Sequence, residues 1–317
     1  DQGIRNGLAV ELLDAGFPPG VVGLLPGLGE EVGAPLVAHP QVATIAFTGS
    51  LAVGLRIWEQ AGKTPPPQRF LKRVICEMGG KNAIIVDDDA DLDDAVLGTV
   101  HSAFGYAGQK CSACSRVIVV GARYEAFLAR LADAVDAWAI GSARDPATRL
   151  GPVVDAESQA RLQAAVQGAD QRLRRVNAAR PVPPGGHYVA PAIYRDVPPG
   201  DPIATDELFG PVLATMSVAS FEDAVAVANN TPYALTAGVY SRSPSRLQQA
   251  RDSLRCGNLY LNRPITGALV GRQPFGGMGL SGGGTKAGGP DYLLSFVDPR
   301  VVTENTMRHG FSPDVTS

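Results

Sequence analysis

The chain has 317 residues, of which 45% are hydrophobic and 19% are charged, and its formal net charge is −3 at pH 7. This length allows one large or two ordinary domains, and the composition is typical of a globular protein. The charge balance provides no basic field for nucleic acid and no polybasic patch for a membrane surface. No apolar run is long enough to span a bilayer, so we expect neither nucleic acid nor a membrane as a partner.

Cysteine use and the first residues indicate a reduced compartment. Residues 1–5 lack the basic and apolar regions of a signal peptide. Cys76, Cys111, Cys114 and Cys256 are too few and too scattered for a disulfide scaffold. The Cys111-x-x-Cys114 pair has no second cysteine pair and no His-x-His cluster to complete a zinc site. We therefore predict a cytoplasmic protein without a bound metal.

Strands and helices alternate in the first quarter of the sequence. The residue pattern predicts a helix over 8–16, a strand over 21–25, a helix over 30–38, a strand over 42–47, a helix from residue 51 to Gln60 and a strand over 73–76. Residues 63–67 form a proline-rich linker before the last of these strands. This alternation is typical of parallel βα units and predicts an α/β fold.

The rest of the chain continues the alternation. Helices are predicted over 92–106, 124–139, 155–169, 221–229 and 245–254, and strands over 82–86, 117–120, 237–240 and 258–262. Residues 141–153 and 170–186 are predicted loops, the second with Arg172, Arg174 and Arg175 on a solvated face. The acidic run 87–94 is expected to cap and charge the first turn of a helix rather than bind a metal. Residues 271–290 contain nine glycines and are predicted to be loop close to a ligand or to other backbone.

Cys111 lies between a predicted helix and a predicted strand, next to Lys110. A cysteine in such a turn can be exposed at the mouth of a cleft, but its thiol is reactive only if its pKa is lowered or a base stands near it. The simpler interpretation is a buried, small apolar residue. The upstream stretch Cys76–Asn82 favours the catalytic interpretation, because it places the carboxylate of Glu77 beside two glycines just after a short strand.

Five short motifs occur in a fixed order over some 230 positions, namely Phe47–Ser50, Glu77–Lys81, Gly108–Cys111, Glu207–Pro211 and Pro274–Gly277. The glutamate of the second motif precedes the cysteine of the third by 34 residues. In this order and at this spacing the motifs resemble those of the aldehyde dehydrogenase superfamily. The resemblance covers nearly the whole chain from residue 8 onward.

The resemblance implies an aldehyde-dehydrogenase-like α/β architecture in three parts. Residues 1–79 would be a partial, Rossmann-type NAD(P)-binding domain whose N-terminal part is absent. Residues 80–283 would be the catalytic α/β domain with the nucleophilic cysteine. Residues 284–317 would be a C-terminal loop and tail that anchor the substrate.

The resemblance also assigns roles in cofactor binding. Gly49, Ser50 and Gly54 match the strand–helix turn that binds the pyrophosphate of NAD(P), where backbone N–H groups face the anion. On their own these residues are a weak signal, because many strand–helix turns carry Gly and Ser for steric reasons. Glu207 would hold the nicotinamide ribose, and Phe209 would support the nicotinamide ring. We expect NAD as the cofactor, with NADP not excluded.

The resemblance assigns the catalytic roles to Cys111 and Glu77. The Cys111 thiolate would attack the aldehyde, and its own backbone N–H would donate to the oxyanion. After hydride transfer to the nicotinamide, Glu77 would activate water to hydrolyse the thioester. Glu77 is also a candidate for accepting the thiol proton.

Residues 108–112 and 286–293 resemble Δ1-pyrroline-5-carboxylate dehydrogenases, which oxidise L-glutamate γ-semialdehyde to L-glutamate in proline degradation. The N–H groups of Gly288 and Gly289, with the Ser112 hydroxyl, could form an anion nest for the α-carboxylate of this small aldehyde. A glycine-rich turn that only reverses the chain is the simpler interpretation. The predicted substrate contacts are Lys110, Ser112, Gly288, Gly289 and Phe296.

Two alternatives stay open at the level of sequence. The enzyme could act on a different aldehyde. The chain could instead be an inactive piece that serves as an oligomerisation module, because the resemblance implies that an upstream oxyanion Asn, a ribose-binding Lys and an oligomerisation hairpin are absent. A homo-oligomer is expected from the family, whether the parent enzyme is free-standing or bifunctional.

Overall fold

A computed structural model describes residue 11 and the ranges 14–18 and 20–306. The helix predicted over 8–16 lies mostly outside the described residues, as does the end of the predicted C-terminal tail. Within the described ranges, no helix combines the length and apolar character that crossing a bilayer requires.

The structure alternates helices and strands along almost all of its described length. The helices are α1 Ala34–Ala38, α2 Leu51–Ala61, α3 Leu92–Phe104, α4 Tyr124–Asp136, α5 Ala156–Asp170, α6 Pro202–Thr205, α7 Phe221–Asn229 and α8 Pro244–Ser253. The strands are β1 Thr44–Thr48, β2 Arg73–Glu77, β3 Asn82–Val86, β4 Cys114–Val120, β5 Ala139–Ile140, β6 Thr148–Leu150, β7 Arg174–Arg175, β8 Ala192–Arg195, β9 Val212–Val218, β10 Tyr233–Ala234, β11 Thr236–Tyr240, β12 Asn258–Leu261 and β13 Met278–Gly279. This order confirms the predicted α/β class.

The main sheet has seven strands in the order β12-β11-β3-β4-β9-β8-β7. All neighbouring pairs are parallel except β7–β8, which is antiparallel. The central strands are continuous apolar runs, and Ile84, Ile85 and Ile118 are fully buried. Such runs are expected where helices cover both faces of a parallel sheet.

A smaller sheet precedes the main one. Strands β1 and β2 pair in parallel, with Thr48 opposite Glu77. Residues 78–81 connect the end of β2 to the start of β3. The predicted boundary after Gly79 falls within this connection, while the division into three parts stays a prediction.

Three local predictions are wrong. Residues 21–25 are exposed and irregular rather than a buried strand, because they pair with no strand of the described ranges. The predicted loop 170–186 contains β7. Arg172 and Arg174 are exposed as predicted, whereas Arg175 is partly buried, and Arg172 and Arg175 form ion pairs with Asp201 and Asp170. The strands β8 and β9 have no counterpart among the predicted elements.

The acidic run before α3 behaves partly as predicted. Asp91 is the N-cap, and its carboxylate accepts hydrogen bonds from the N–H groups of Asp93 and Asp94. Asp87 and Asp89 both accept the hydroxyl of Ser241, so these carboxylates join the end of β3 to the end of β11. The run therefore fixes the helix that leads to Cys111.

Candidate active site

The site lies where the two sheets meet. Glu77 is at the carboxyl end of β2, and the Gly49 N–H donates to its carbonyl at 3.1 Å. Cys111 precedes the amino end of β4, and residues 79–81 precede the amino end of β3. The carboxyl end of the small sheet thus faces the amino end of the large one, and the connection 78–81 keeps the two ends together.

A strained turn presents Cys111. Tyr106, Ala107 and Gly108 have φ angles of 59°, 53° and 69°, although only the third residue is glycine. A non-glycine residue in the left-handed region costs about 1–2 kcal/mol, and such strain persists where the surrounding structure enforces it. A Cβ on Gly108 would lie 2.3 Å from the carbonyl oxygen of Gly210. The turn therefore packs directly against the segment that carries Glu207 and needs glycine to do so.

Asn82 holds the other side of the cysteine turn. Its Nδ2 donates to the carbonyls of Cys111 and Ala113 at 2.7 and 2.9 Å. Its Oδ1 accepts the N–H of Thr236, the first residue of β11, at 3.0 Å. Asn82 is buried and follows the Glu-x-Gly-Gly-Lys motif directly, which is the signal that would have identified it. One amide thus ties the nucleophile turn to two strands of the main sheet.

Burial raises the pKa of the Cys111 thiol, and the negative charges of Glu207 and Glu77 raise it further. The backbone N–H groups of Ser112 and Cys111 act on the sulfur in the opposite direction. The charges of both carboxylates therefore act on the thiol, and the chemical roles assigned to Glu77 and Glu207 stay predictions. A thiol in this setting needs a base to become a nucleophile.

Glu77 is the carboxylate best suited to act as that base. Burial raises its pKa to about 7, while the Gly277 N–H and the charge of Lys286 oppose this rise. The Gly277 N–H donates to its Oε2 at 3.0 Å. A Cβ on Gly276 or Gly282 would lie 2.9 Å from its Oε1. The glycine-rich segment, predicted to lie close to a ligand or to other backbone, packs against the backbone of β2 and encloses this carboxylate.

Glu207 lies against the two glycines that follow Glu77. Its Oε1 accepts the Gly80 N–H at 3.0 Å, and a Cβ on Gly79 would lie 1.8 Å from its Oε2. Burial raises its pKa, and the Gly80 N–H and the charge of Lys81 oppose that rise. Gly79 therefore makes room for the Glu207 carboxylate, and the Gly80 N–H holds it.

The segment after Glu207 carries Phe209 and is held by a hydrogen bond from Arg161. Phe209 is 42% exposed and has a φ of 54°, so its ring is presented from a strained position. The Arg161 guanidinium donates to the Leu208 carbonyl at 2.5 Å. Lys110, Glu207 and Phe209 line one small hollow. The structure therefore brings both predicted cofactor residues of this segment near the cysteine turn.

Gly49, Ser50 and Gly54 begin α2, as predicted, and each also has a structural role. The Ser50 hydroxyl caps the helix by accepting the Val53 N–H at 3.4 Å. A Cβ on Gly54 would lie 2.3 Å from the sulfur of Met78, the neighbour of Glu77. Beside these residues, α1, β1 and α2 enclose a mainly apolar groove of about 660 Å³. Their role in cofactor binding stays a prediction.

The predicted substrate residues do not all converge. Ser112 is buried beside the thiol. The Gly289 N–H donates to the Lys286 carbonyl at 3.0 Å, so it is already used within the turn. This hydrogen bond removes one of the two backbone donors on which the predicted anion nest depends. The Gly288 φ of 73° fits the simpler interpretation of a chain reversal.

Phe296 lies apart from the nucleophile in the described contacts. Its ring packs edge-on against Tyr292, with centroids 5.3 Å apart. The carbonyls of its neighbours Ser295 and Val297 accept hydrogen bonds from Arg73. Arg73 begins β2, at the opposite end of that strand from Glu77. The predicted packing of Phe296 on a substrate chain has no support in this geometry.

Comparison with known proteins identifies the family. The sequence profile of the aldehyde dehydrogenase family matches residues 7–302, so the chain belongs to that family. It is 45% identical over 296 residues to a 1-pyrroline-5-carboxylate dehydrogenase of Geobacillus kaustophilus, covering 93% of this chain and 58% of that protein. The chain thus spans little more than half the length of this curated relative.

Solved structures share the fold. A crystal structure of proline utilization A from Bdellovibrio bacteriovorus matches 98% of this chain and 32% of its own, with a TM-score of 0.95 and 48% identity. A 1-pyrroline-5-carboxylate dehydrogenase from Thermus, solved with bound NAD, matches 90% of this chain and 55% of its own, with a TM-score of 0.87 and 49% identity. The predicted resemblance to this branch of the family is confirmed.

The close contact between Gly108 and Gly210 predicts that a side chain at position 108 lowers the stability by more than backbone strain alone would. Gly108→Ala should lower the free energy of unfolding by about 1–3 kcal/mol more than Gly185→Ala, because overpacking adds to the cost of the left-handed φ. Gly185 is the matched control, with a φ of +80° and nothing within 4 Å of an added Cβ. Urea unfolding of both variants measures the difference, and equal losses would contradict the tight contact.

Proposed function

We propose that this chain catalyses the NAD(P)-dependent oxidation of L-glutamate γ-semialdehyde to L-glutamate through a covalent intermediate on Cys111. The observation that carries the proposal is the convergence of one thiol and two partly buried carboxylates where the two sheets meet. The names of the relatives support the substrate and a place in proline degradation. The relative solved with NAD supports a nicotinamide cofactor.

The first step is proton removal and attack. Glu77, when ionised, accepts the Cys111 proton, and the thiolate adds to the aldehyde carbon to give a thiohemiacetal. The oxyanion that forms is placed to accept the backbone N–H of Cys111, which already acts on the sulfur. The low solvent exposure of the site strengthens both interactions.

The cofactor, when bound, supplies the acceptor for the hydride that leaves the thiohemiacetal carbon. Glu207 fits a role in holding its ribose, because a buried carboxylate beside the thiol accepts hydroxyl hydrogen bonds well. The N-terminus of α2 and the neighbouring groove fit a role for Gly49, Ser50 and Gly54 in holding the phosphates and the rest of the dinucleotide.

The last step is hydrolysis of the thioester. Glu77 takes a proton from water, which attacks the acyl carbon and releases the carboxylic acid and the Cys111 thiol. A base with a pKa near 7 has enough carboxylate at neutral pH and still binds the proton it removes. Asn82 keeps the acyl-bearing turn in place during both steps, because it binds the Cys111 carbonyl.

A different aldehyde is the second candidate substrate. It is favoured by the hydrogen bond from the Gly289 N–H to the Lys286 carbonyl, which leaves the proposed carboxylate nest incomplete. The two candidates differ in whether the substrate must carry a carboxylate remote from the aldehyde group. Assembly as a homo-oligomer is expected from the family and stays a prediction.

Loss of the nucleophile should abolish turnover. With glutamate semialdehyde and NAD, Cys111→Ala should lower the rate of NADH formation roughly a thousandfold or more, because no covalent intermediate can form. Absorbance at the NADH band measures the rate. Cys114→Ala is the control, since that buried thiol donates to the Arg116 carbonyl and has no assigned chemical step. Equal rates in Cys111→Ala and the unaltered chain would refute the thiol mechanism.

The pH dependence of kcat/KM should reflect the ionisation of Glu77. The raised pKa of Glu77 keeps its carboxyl protonated below about pH 7, so kcat/KM should fall as the pH is lowered through this value. Initial rates measured from about pH 6 to about pH 8 test this expectation. The Glu77→Gln variant should lose this inflection together with most of the activity. An inflection that persists unchanged in that variant would assign it to another group.

Gly289→Val should separate the two candidate substrates. A Cβ there would already lie 3.0 Å from the Lys286 carbonyl oxygen and 3.1 Å from Pro274, so a bulky residue must displace the turn. If the turn anchors a carboxylate, KM should rise several-fold for glutamate semialdehyde but not for propionaldehyde. Steady-state kinetics with both aldehydes gives the comparison. An equal change for both would count against carboxylate recognition at this turn.

A further inference from the structure

Lys286 occupies a confined position behind the glycine-rich segment. Its ammonium donates to the carbonyl of Gly257 at 2.8 Å and to the carbonyl of Gly276. A Cβ on Gly257 would lie 2.7 Å from the lysine nitrogen and 1.9 Å from the Gly276 oxygen. Glycine at position 257 therefore lets the ammonium reach both carbonyls. A charge held against backbone in this way needs a compensating partner.

One peptide group links this ammonium to the base. The carbonyl of Gly276 accepts from Lys286, and the N–H of the next residue, Gly277, donates to Oε2 of Glu77 at 3.0 Å. The peptide unit between residues 276 and 277 thus has a cation at its oxygen and a carboxylate at its nitrogen. Hydrogen bonds joined in this order polarise one another and strengthen both contacts.

The surrounding backbone fixes the peptide in this orientation. Phe275 and Ala287 exchange two hydrogen bonds of 2.9 and 2.8 Å, which places the lysine beside the peptide it binds. Asn258 donates to the Pro274 carbonyl at 2.9 Å and accepts the Gly276 N–H at 3.3 Å. The backbone that leads into the peptide between Gly276 and Gly277 is therefore held, which limits the directions in which the Gly277 N–H can point.

We propose that Lys286 is a positioning residue that acts on the Glu77 carboxylate through the peptide group between Gly276 and Gly277. The inference rests on the proposed function, in which Glu77 is the base. The lysine does not touch the reacting atoms. It orients and polarises the N–H that holds Oε2, which leaves Oε1 available for the thiol proton and for water, and it favours the ionised carboxylate.

Other charged and titratable groups lie near Glu77 and Lys286. Cys111 and Glu207 lie on the substrate side of Glu77, and the neighbouring Cys76 is buried beneath it. Cys256 lies beside Lys286. The pKa of Cys256 is raised to about 11 by burial, so its thiol stays neutral at neutral pH. Lys286 is thus the cation whose charge acts on Glu77.

The test measures the reactivity of the Cys111 thiol and needs no catalytic turnover. Because the charge of Glu77 acts on the thiol, the rate of alkylation by iodoacetamide should change as Glu77 ionises. The full chain is alkylated over a range of pH, and mass spectrometry of the Cys111 peptide gives the rate at that residue alone. Glu77→Gln identifies which inflection belongs to Glu77. This measurement needs neither cofactor nor aldehyde, so it is independent of whether the chain turns over substrate.

Lys286→Met should move the Glu77 inflection to higher pH by roughly half a unit to one unit, because the carboxylate loses a cation that favours it. Lys286→Arg should keep the inflection near its original position. Lys72→Met is the matched control, since Lys72 also donates to two carbonyls, those of Val37 and His39, but lies near the opposite end of β2. It should leave the profile unchanged.

Two results would overturn the proposal. One is a Glu77 inflection in Lys286→Met that coincides with that of the Lys72→Met control. The other is an effect of Lys286→Met on the alkylation profile that is as large in the Glu77→Gln background as in the unaltered chain, which would show that the lysine acts on another group. Circular dichroism checks folding, and Lys286→Gln replaces the Met variant if that variant unfolds. A failure of NADH formation with the expected shift would refute the proposed function and leave this inference standing.

Discussion

The short connection between the two sheets is the constraint on which the site depends. Residues 78–81 leave Glu77 at the end of β2 and enter β3 at Asn82, so the base and the amide that holds the cysteine turn are five residues apart. Gly79 has no room for a side chain because Glu207 occupies that space, and Gly80 has none because Asn82 and the Cys111 carbonyl lie there. One short backbone segment therefore sets the distances among base, nucleophile turn and second carboxylate.

The electrostatics of the site follow from this crowding. Two partly buried carboxylates beside a partly buried thiol disfavour ionisation of all three groups, and each of their pKa values is raised. The molecule offsets the collected negative charge with backbone N–H groups and with lysines behind the glycine segments, Lys81 for Glu207 and Lys286 for Glu77. The glycines thus serve the chemistry indirectly, because they let charged groups approach backbone that side chains would otherwise cover.

The sequence predicted the reactive residues of this arrangement but not the residues that hold them in place. The motif order identified the family and named Cys111, Glu77 and Glu207, because the chemistry limits which residue types can serve and at what spacing. No role was predicted for Asn82 or Lys286, because their contacts join segments that are far apart in the chain. The strand at 21–25 was wrong because an apolar run forms a strand only if another strand pairs with it. The anion nest lost a donor because a hydrogen bond within the turn is invisible in a residue pattern.

The central claim is that the thiol and the two carboxylates form one covalent catalytic site. It is tested most directly by acid-quenching the Glu77→Gln chain after mixing with NAD and glutamate semialdehyde, and by measuring the mass of the Cys111 peptide. The account predicts that a thioester accumulates on Cys111 in this variant when the mixture is held at a pH high enough to ionise the thiol without Glu77, because attack and hydride transfer can then proceed while hydrolysis still lacks its base. A peptide of unmodified mass, or an acyl group on a different cysteine, would contradict it.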